Sequence, residues 1–131
     1  MKILDAFPPN IEAIKKVFPI MKNAVYTYGD TIYAPGIKFY LPEDLIVHEQ
    51  THYFQQIKFL TVDEWWEKYL KNESFRVAQE VMAYKKQYQN FKMGRPRSEF
   101  RKFARQLAKD LSGPMYGNCI DFAEALSIIK L

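Results

Sequence analysis

Histidine and cysteine are scarce in this chain, with two of the first and one of the second among 131 residues. A single cysteine, Cys119, forms no internal disulfide and builds no cysteine metal cluster by itself, so a small buried side chain is the role expected of it. Long apolar runs are missing too. None approaches the ~20 residues that a bilayer requires. The N-terminus Met1-Lys2-Ile3-Leu4-Asp5 meets an acid and then Pro8-Pro9 before an apolar stretch can form, which argues against a secretory signal and makes the cytoplasm the default compartment. There are no internal repeats, low-complexity tracts or long linkers. Nor does one sign of charge dominate: 19 lysines and arginines against 15 acids leave +4, which permits an acidic partner without demanding one.

What the chain does have is apolar and aromatic mass, 48% and 16% of its residues. At this length that supports one hydrophobic core, so residues 1–131 read as a single domain.

Both histidines fall in one pentapeptide, His48-Glu49-Gln50-Thr51-His52, which has the pattern HExxH. Four residues is slightly more than one helical turn, so on a helix the two imidazoles share a face and can bind one zinc ion. Glu49 lies between them and can reach a water on the metal as general base. Positions remain open for that water and a substrate. The surroundings predict the helix: Pro42 at its first position, Glu43 and Asp44 at the positive end of its dipole, then Leu45, Ile46, Val47, Phe54 and Ile57.

Upstream, Asn10 is placed to cap a short helix through Phe18, with Ile11, Ile14, Val17 and Phe18 at helical spacing and Pro19 as the stop. Residues 24–28 and 31–34 read as strands joined at Gly29-Asp30. A third extended run, residues 37–40, follows Pro35-Gly36. The fold expected is α+β, mostly helical, with a small antiparallel sheet before the HExxH helix. An extended substrate could pair with an exposed edge of that sheet.

Downstream, Thr61-Val62-Asp63-Glu64 has the form of a capping box and opens a short helix to about Leu70, whose Trp65, Trp66 and Tyr69 read as core or pocket wall. A longer helix follows over residues 75–91. In it Glu80 has Val77, Ala83 and Tyr84 three or four positions away, so its carboxylate lies on a largely apolar face. A carboxylate there is costly without a partner, and a zinc ion shared with His48 and His52 would supply one. Glu64 and Glu73 are the rival third ligands, each already accounted for by a helix start. Ser98 is placed to cap another helix, with Phe100, Phe103, Ala104, Leu107, Ala108 and Leu111 on one stripe. Its Arg101, Lys102, Arg105 and Lys109 read first as a solvated face, so nucleic acid is a possible partner without being the favoured one. Gly113 offers a left-handed cap, and Asn118 a start for a last helix through Ile129.

The order His48-Glu49-Gln50-Thr51-His52, then Glu80-Val81-Met82-Ala83-Tyr84, resembles the gluzincins, HExxH zinc metallopeptidases whose third ligand is a glutamate in an ExxA segment on a later helix. The run HEQTHYFQQ also resembles small metallopeptidase-like proteins of bacteriophages and prophages. The resemblance covers Pro42 to Tyr84. It implies a minimal zincin-like domain with zinc on His48, His52 and Glu80, Glu49 as catalytic base, and a peptide or protein substrate. It further implies residence in the cytoplasm of a bacterium or a phage-infected host. Many gluzincins carry an aspartate shortly after the glutamate to orient a histidine, whereas Tyr84 stands four residues after Glu80; Asp121, Asn118 or a backbone carbonyl are the substitutes available. With no third histidine, Tyr84 or Tyr116 would steady the tetrahedral intermediate. Gln55 and Gln56 fall near enough to touch the site. The reading from another class is a zinc-stabilised structural or interaction module, such as a phage assembly component.

Overall fold

The computed structural model describes all residues, Met1–Leu131. Three short strands, β1 (Lys2–Leu4), β2 (Tyr26–Tyr28) and β3 (Thr31–Tyr33), accompany six helices: α1 (Ile11–Lys15), α2 (Glu43–Gln56), α3 (Val62–Lys71), α4 (Glu73–Lys92), α5 (Arg97–Leu111) and α6 (Phe122–Ile129). The α+β, mostly helical class expected from the sequence is the one observed.

β2 and β3 form the antiparallel hairpin, with Tyr26 opposite Tyr33 and Tyr28 opposite Thr31. Gly29 turns it at φ +61°, a conformation glycine adopts at little cost. The third strand differs from expectation. Residues 38–40 form a 3-10 turn, and β1 pairs in parallel on the other side of β3, so the sheet is mixed in the order β1-β3-β2. The cause lies at Pro35-Gly36. Gly36 turns the chain at φ +80° and its N–H donates to Asp5 Oδ1 at 2.8 Å, while Ala34 N–H donates to the Leu4 carbonyl at 2.8 Å. The loop after β3 is thereby tied to the end of β1, which takes the free edge.

Helix ends carry further corrections. Thr61 caps α3 by accepting from Glu64 N–H at 3.1 Å, as its motif implied, and Asn72 caps α4 through Phe75 N–H at 2.9 Å. Pro42 stands one residue ahead of α2 in extended conformation, not at its first helical position. Pro96 does the same for α5, leaving Ser98 inside the first turn. Asp121, not Asn118, caps α6, accepting from Glu124 N–H at 2.9 Å; Asn118 has φ +55° and belongs to the preceding turn. The left-handed glycine is Gly117, while Gly113 is extended and pressed against α5, where a Cβ would stand 3.2 Å from the Lys109 carbonyl. α1 stops at Lys15, and Asn10 gives its start no side-chain hydrogen bond.

Apolar burial is split in two. Tyr84, Tyr88, Leu107, Leu111, Ala125 and Ile129 join α4, α5 and α6, while Ile14, Phe18, Trp65, Trp66 and Tyr69 join α1 to α3. α2 lies against α4 and β2 but adds no buried apolar side chain. Its buried residues are Asp44, His48, Glu49, Thr51, His52, Gln55 and Gln56, and its Phe54 and Ile57 are 59% and 57% exposed. The apolar positions that suggested the helix are thus not the ones that anchor it. A helix that buries its polar face is stable only if those groups find partners, and their partners define the site.

Candidate metal centre

Each buried polar side chain of α2 has its own fastening. Gln56 Nε2 donates to the Thr27 carbonyl at 2.8 Å and Gln56 Oε1 accepts from Gly29 N–H at 2.8 Å, holding the hairpin to the end of α2. Trp66 Nε1 adds a second bond to the Thr27 carbonyl at 3.1 Å. Both lone pairs of that carbonyl are then used, so edge strand β2 cannot offer it to an extended substrate. Thr27 Oγ1 donates to Glu49 Oε1 at 3.0 Å.

The two histidines are oriented by amides. His48 Nδ1 lies 2.9 Å from Gln87 Oε1, and His52 Nδ1 lies 2.8 Å from Gln55 Oε1. Neither amide is free to turn over: Gln87 Nε2 donates to Asp44 Oδ2 at 2.8 Å and Gln55 Nε2 to the Gln79 carbonyl at 3.0 Å, both groups that only accept. Each glutamine therefore shows its oxygen to the ring, each Nδ1 carries the hydrogen, and each neutral imidazole presents Nε2 as a bare lone pair. Asp121, Asn118 and backbone carbonyls do not take this part.

Those lone pairs converge. His48 Nε2 is 3.2 Å from His52 Nε2, and Glu80 Oε1 lies 3.2 Å from the first and 3.3 Å from the second. Glu80 is 2% exposed; its Oε2 accepts from the Tyr69 hydroxyl at 2.5 Å, and its Oε1 has no hydrogen-bond partner. Three acceptor atoms at the corners of a buried, nearly equilateral triangle repel one another unless a cation lies between them. A tetrahedral ion with ligand bonds of about 2.0 Å sets its ligand atoms about 3.3 Å apart, so the donor set fits such an ion.

A proton is the weaker substitute. Burial disfavours an imidazolium at His52, but the Glu80 carboxylate outweighs it and raises the His52 pKa to about 9. Burial likewise works to raise the Glu80 pKa, and the facing imidazoles, His52 first, pull it well below the usual carboxylate range. A proton on one Nε2 satisfies at most that nitrogen's contacts. A metal ion satisfies all three atoms.

Glu49 stands beside the triangle, not on it. Its Oε2 is 3.6 Å from His48 Nε2, which also makes His48, Glu49 and His52 a compact group of possible ligands. Burial raises the Glu49 pKa, with the two imidazoles acting the other way. Glu64 and Glu73 are exposed on α3 and α4 and do not enter the site.

Tyrosines close the surroundings. The ring of Tyr84 meets His48 edge-on at 4.5 Å, and its hydroxyl shares a 2.8 Å hydrogen bond with that of Tyr116. Burial, and after it the charge of Glu80, raises the pKa of Tyr69, Tyr84 and Tyr116, so all three hydroxyls keep their hydrogens. Buried Arg76 fixes the Tyr116 turn by donating from Nε to its carbonyl at 3.0 Å and from Nη1 to the Tyr69 carbonyl at 2.7 Å. Cys119 is half-buried beneath it, with Arg76 Nη2 3.3 Å from its sulfur. A cavity of about 60 Å³ reaches His48, Glu49, His52 and Glu80, bounded by Tyr116 and by the segment from Phe18 to Val25. That holds a few waters.

The sequence reading missed Gln87, Asp44, Thr27 and the hydroxyl role of Tyr69. No protein-family model, curated protein or solved structure matches this chain.

Proposed function

We propose that the chain is a gluzincin-like metallopeptidase, holding zinc on His48, His52 and Glu80 and hydrolysing peptide bonds. The observation that carries this reading is the triangle of three inward-facing acceptors. Its histidines are locked in one tautomer, and a fourth group, Glu49, stands beside it held by Thr27. Zinc held by these three residues would supply Lewis acidity, which lowers the pKa of water toward ~7 and polarises a carbonyl. Glu49 accepts the proton of the attacking water and passes it to the leaving amine. Thr27 holds one Glu49 oxygen and leaves the other turned to the histidines. Tyr69 keeps Glu80 from rotating. Tyr84 or Tyr116, whose hydroxyls share a hydrogen bond, would steady the developing oxyanion. The single cysteine suits a reducing compartment, consistent with action in the cytoplasm.

Casein, an unfolded substrate, tests the reading: the zinc-loaded protein should release fragments detectable by mass spectrometry, and none should appear with a chelator. Fragments that persist with the chelator would refute it.

A second reading has its own observations. The Thr27 carbonyl is already used, and Glu49 is near enough to become a fourth ligand after a slight shift. The metal would then be structural, closed by four protein groups. Glu49→Gln separates the two: a base is dispensable for zinc affinity, whereas a fourth ligand is not.

A further inference from the structure

The net charge of +4 conceals a polarised molecule. Residues 85–109 carry nine lysines and arginines against one acid, Glu99, whereas the rest of the chain carries ten cations against fourteen acids. Much of this segment is α5, whose apolar stripe of Ala104, Leu107, Ala108 and Leu111 is buried on the core. Its opposite side exposes Arg97, Arg101, Arg105 and Lys109, four residues apart each time, with Lys102 alongside. Over twelve residues this stripe runs roughly 18 Å. None of the five forms a salt bridge, although Glu99 and Asp110 lie on the same helix.

Aromatic rings seat several cations of the region. The Arg95 guanidinium lies 3.8 Å from the Phe91 ring centre, Lys92 Nζ lies 5.1 Å from that of Tyr88 and 5.4 Å from that of Phe100, and Arg105 lies 5.4 Å from that of Phe122. Side chains held on rings lose less entropy on binding than free ones. Beside Arg105 runs a groove of about 320 Å³ lined by Lys102, Arg105, Gln106, Lys109 and Phe122.

We propose that the outer face of α5, continued by Lys92 and Arg95, binds the phosphate backbone of nucleic acid. An unpaired, arginine-rich stripe matches a linear polyanion, because guanidinium forks pair with phosphate oxygens. An anionic membrane is the competing partner. A membrane-surface helix would lay an apolar face on the lipid, and that of α5 is spent on the core. The inference does not rest on the peptidase reading, since the stripe shares no residue with the metal centre.

The test is fluorescence anisotropy of a labelled 20-nucleotide DNA, single-stranded and duplex, with the full chain at 50 and 200 mM salt. Four engaged cations predict a log-log slope near −3.6 on duplex, so binding should weaken by about 150-fold between the two salts. Arg101→Glu/Arg105→Glu should abolish binding at 50 mM salt with its melting temperature within a few degrees of wild type. Lys16→Glu/Lys58→Glu, an equal charge change on exposed residues elsewhere, should bind within about threefold of wild type. Neither DNA form binding at 50 mM salt would overturn the proposal. So would equal losses in the two variants, or binding to vesicles of anionic phospholipid without binding to DNA.

Discussion

Gln87 and His48, thirty-nine residues apart on α4 and α2, meet at 2.9 Å between Oε1 and Nδ1, and the hydrogen bond from Gln87 to Asp44 fixes which atom of the amide faces the ring. Their contact decides that His48 turns a lone pair toward His52 and Glu80. Gln87→Leu, close in size but without the acceptor, should weaken zinc binding by about 10- to 100-fold. Competition titration against a chromogenic chelator measures it. Affinity equal to wild type would mean that the ring holds its tautomer without Gln87.

Glu49→Gln preserves size and can still accept from Thr27. Casein hydrolysis should fall at least ~100-fold, the scale of a lost general base, while zinc affinity stays within a few-fold of wild type. A marked loss of zinc in this variant would favour the structural reading.

Glu80→Ala removes the acceptor that faces both histidines and frees the Tyr69 hydroxyl. Zinc affinity should drop at least ~100-fold, whereas Glu64→Ala and Glu73→Ala, both at exposed positions, should leave it unchanged. Isothermal titration with zinc across the three variants decides which glutamate is the ligand.

The motif was legible because HExxH places two histidines on one helical face, and Glu80 because a carboxylate among Val77, Ala83 and Tyr84 needed a partner. Gln55, Gln87 and Asp44 were harder, since an amide or acid on a helix reads as a surface group until its neighbours are known. One signal was available: Asp44, His48, Thr51, His52 and Gln55 recur at helical spacing, a polar stripe that turns out to be the buried face. Leu45, Phe54 and Ile57 marked the stretch as helical without lying on its buried face. β1 left almost no local trace. Its three residues pair with a strand about thirty positions later, through a loop contact between Asp5 and Gly36. Asn10 does stand at the start of α1, though without a side-chain hydrogen bond, whereas Ser98 and Asn118 were plausible caps two or three positions from the true ones, Pro96 and Asp121.

Chelation should loosen the fold as well as stop turnover, because α2 and α4 meet through the donor triangle. A metal present at 100 times its Kd contributes about 2.7 kcal/mol. At this chain length that corresponds to a melting temperature roughly 10 °C lower in excess chelator. Calorimetry with and without zinc reads the difference, and identical melting curves would mean that the triangle is held without an ion.

The most direct measurement is the metal content of the purified protein, by inductively coupled plasma mass spectrometry, for wild type beside His48→Ala. About one zinc per chain in wild type, lost in the variant, is the result predicted. No zinc in wild type even after incubation with the ion would contradict the account, leaving the three inward-facing acceptors joined by protons alone.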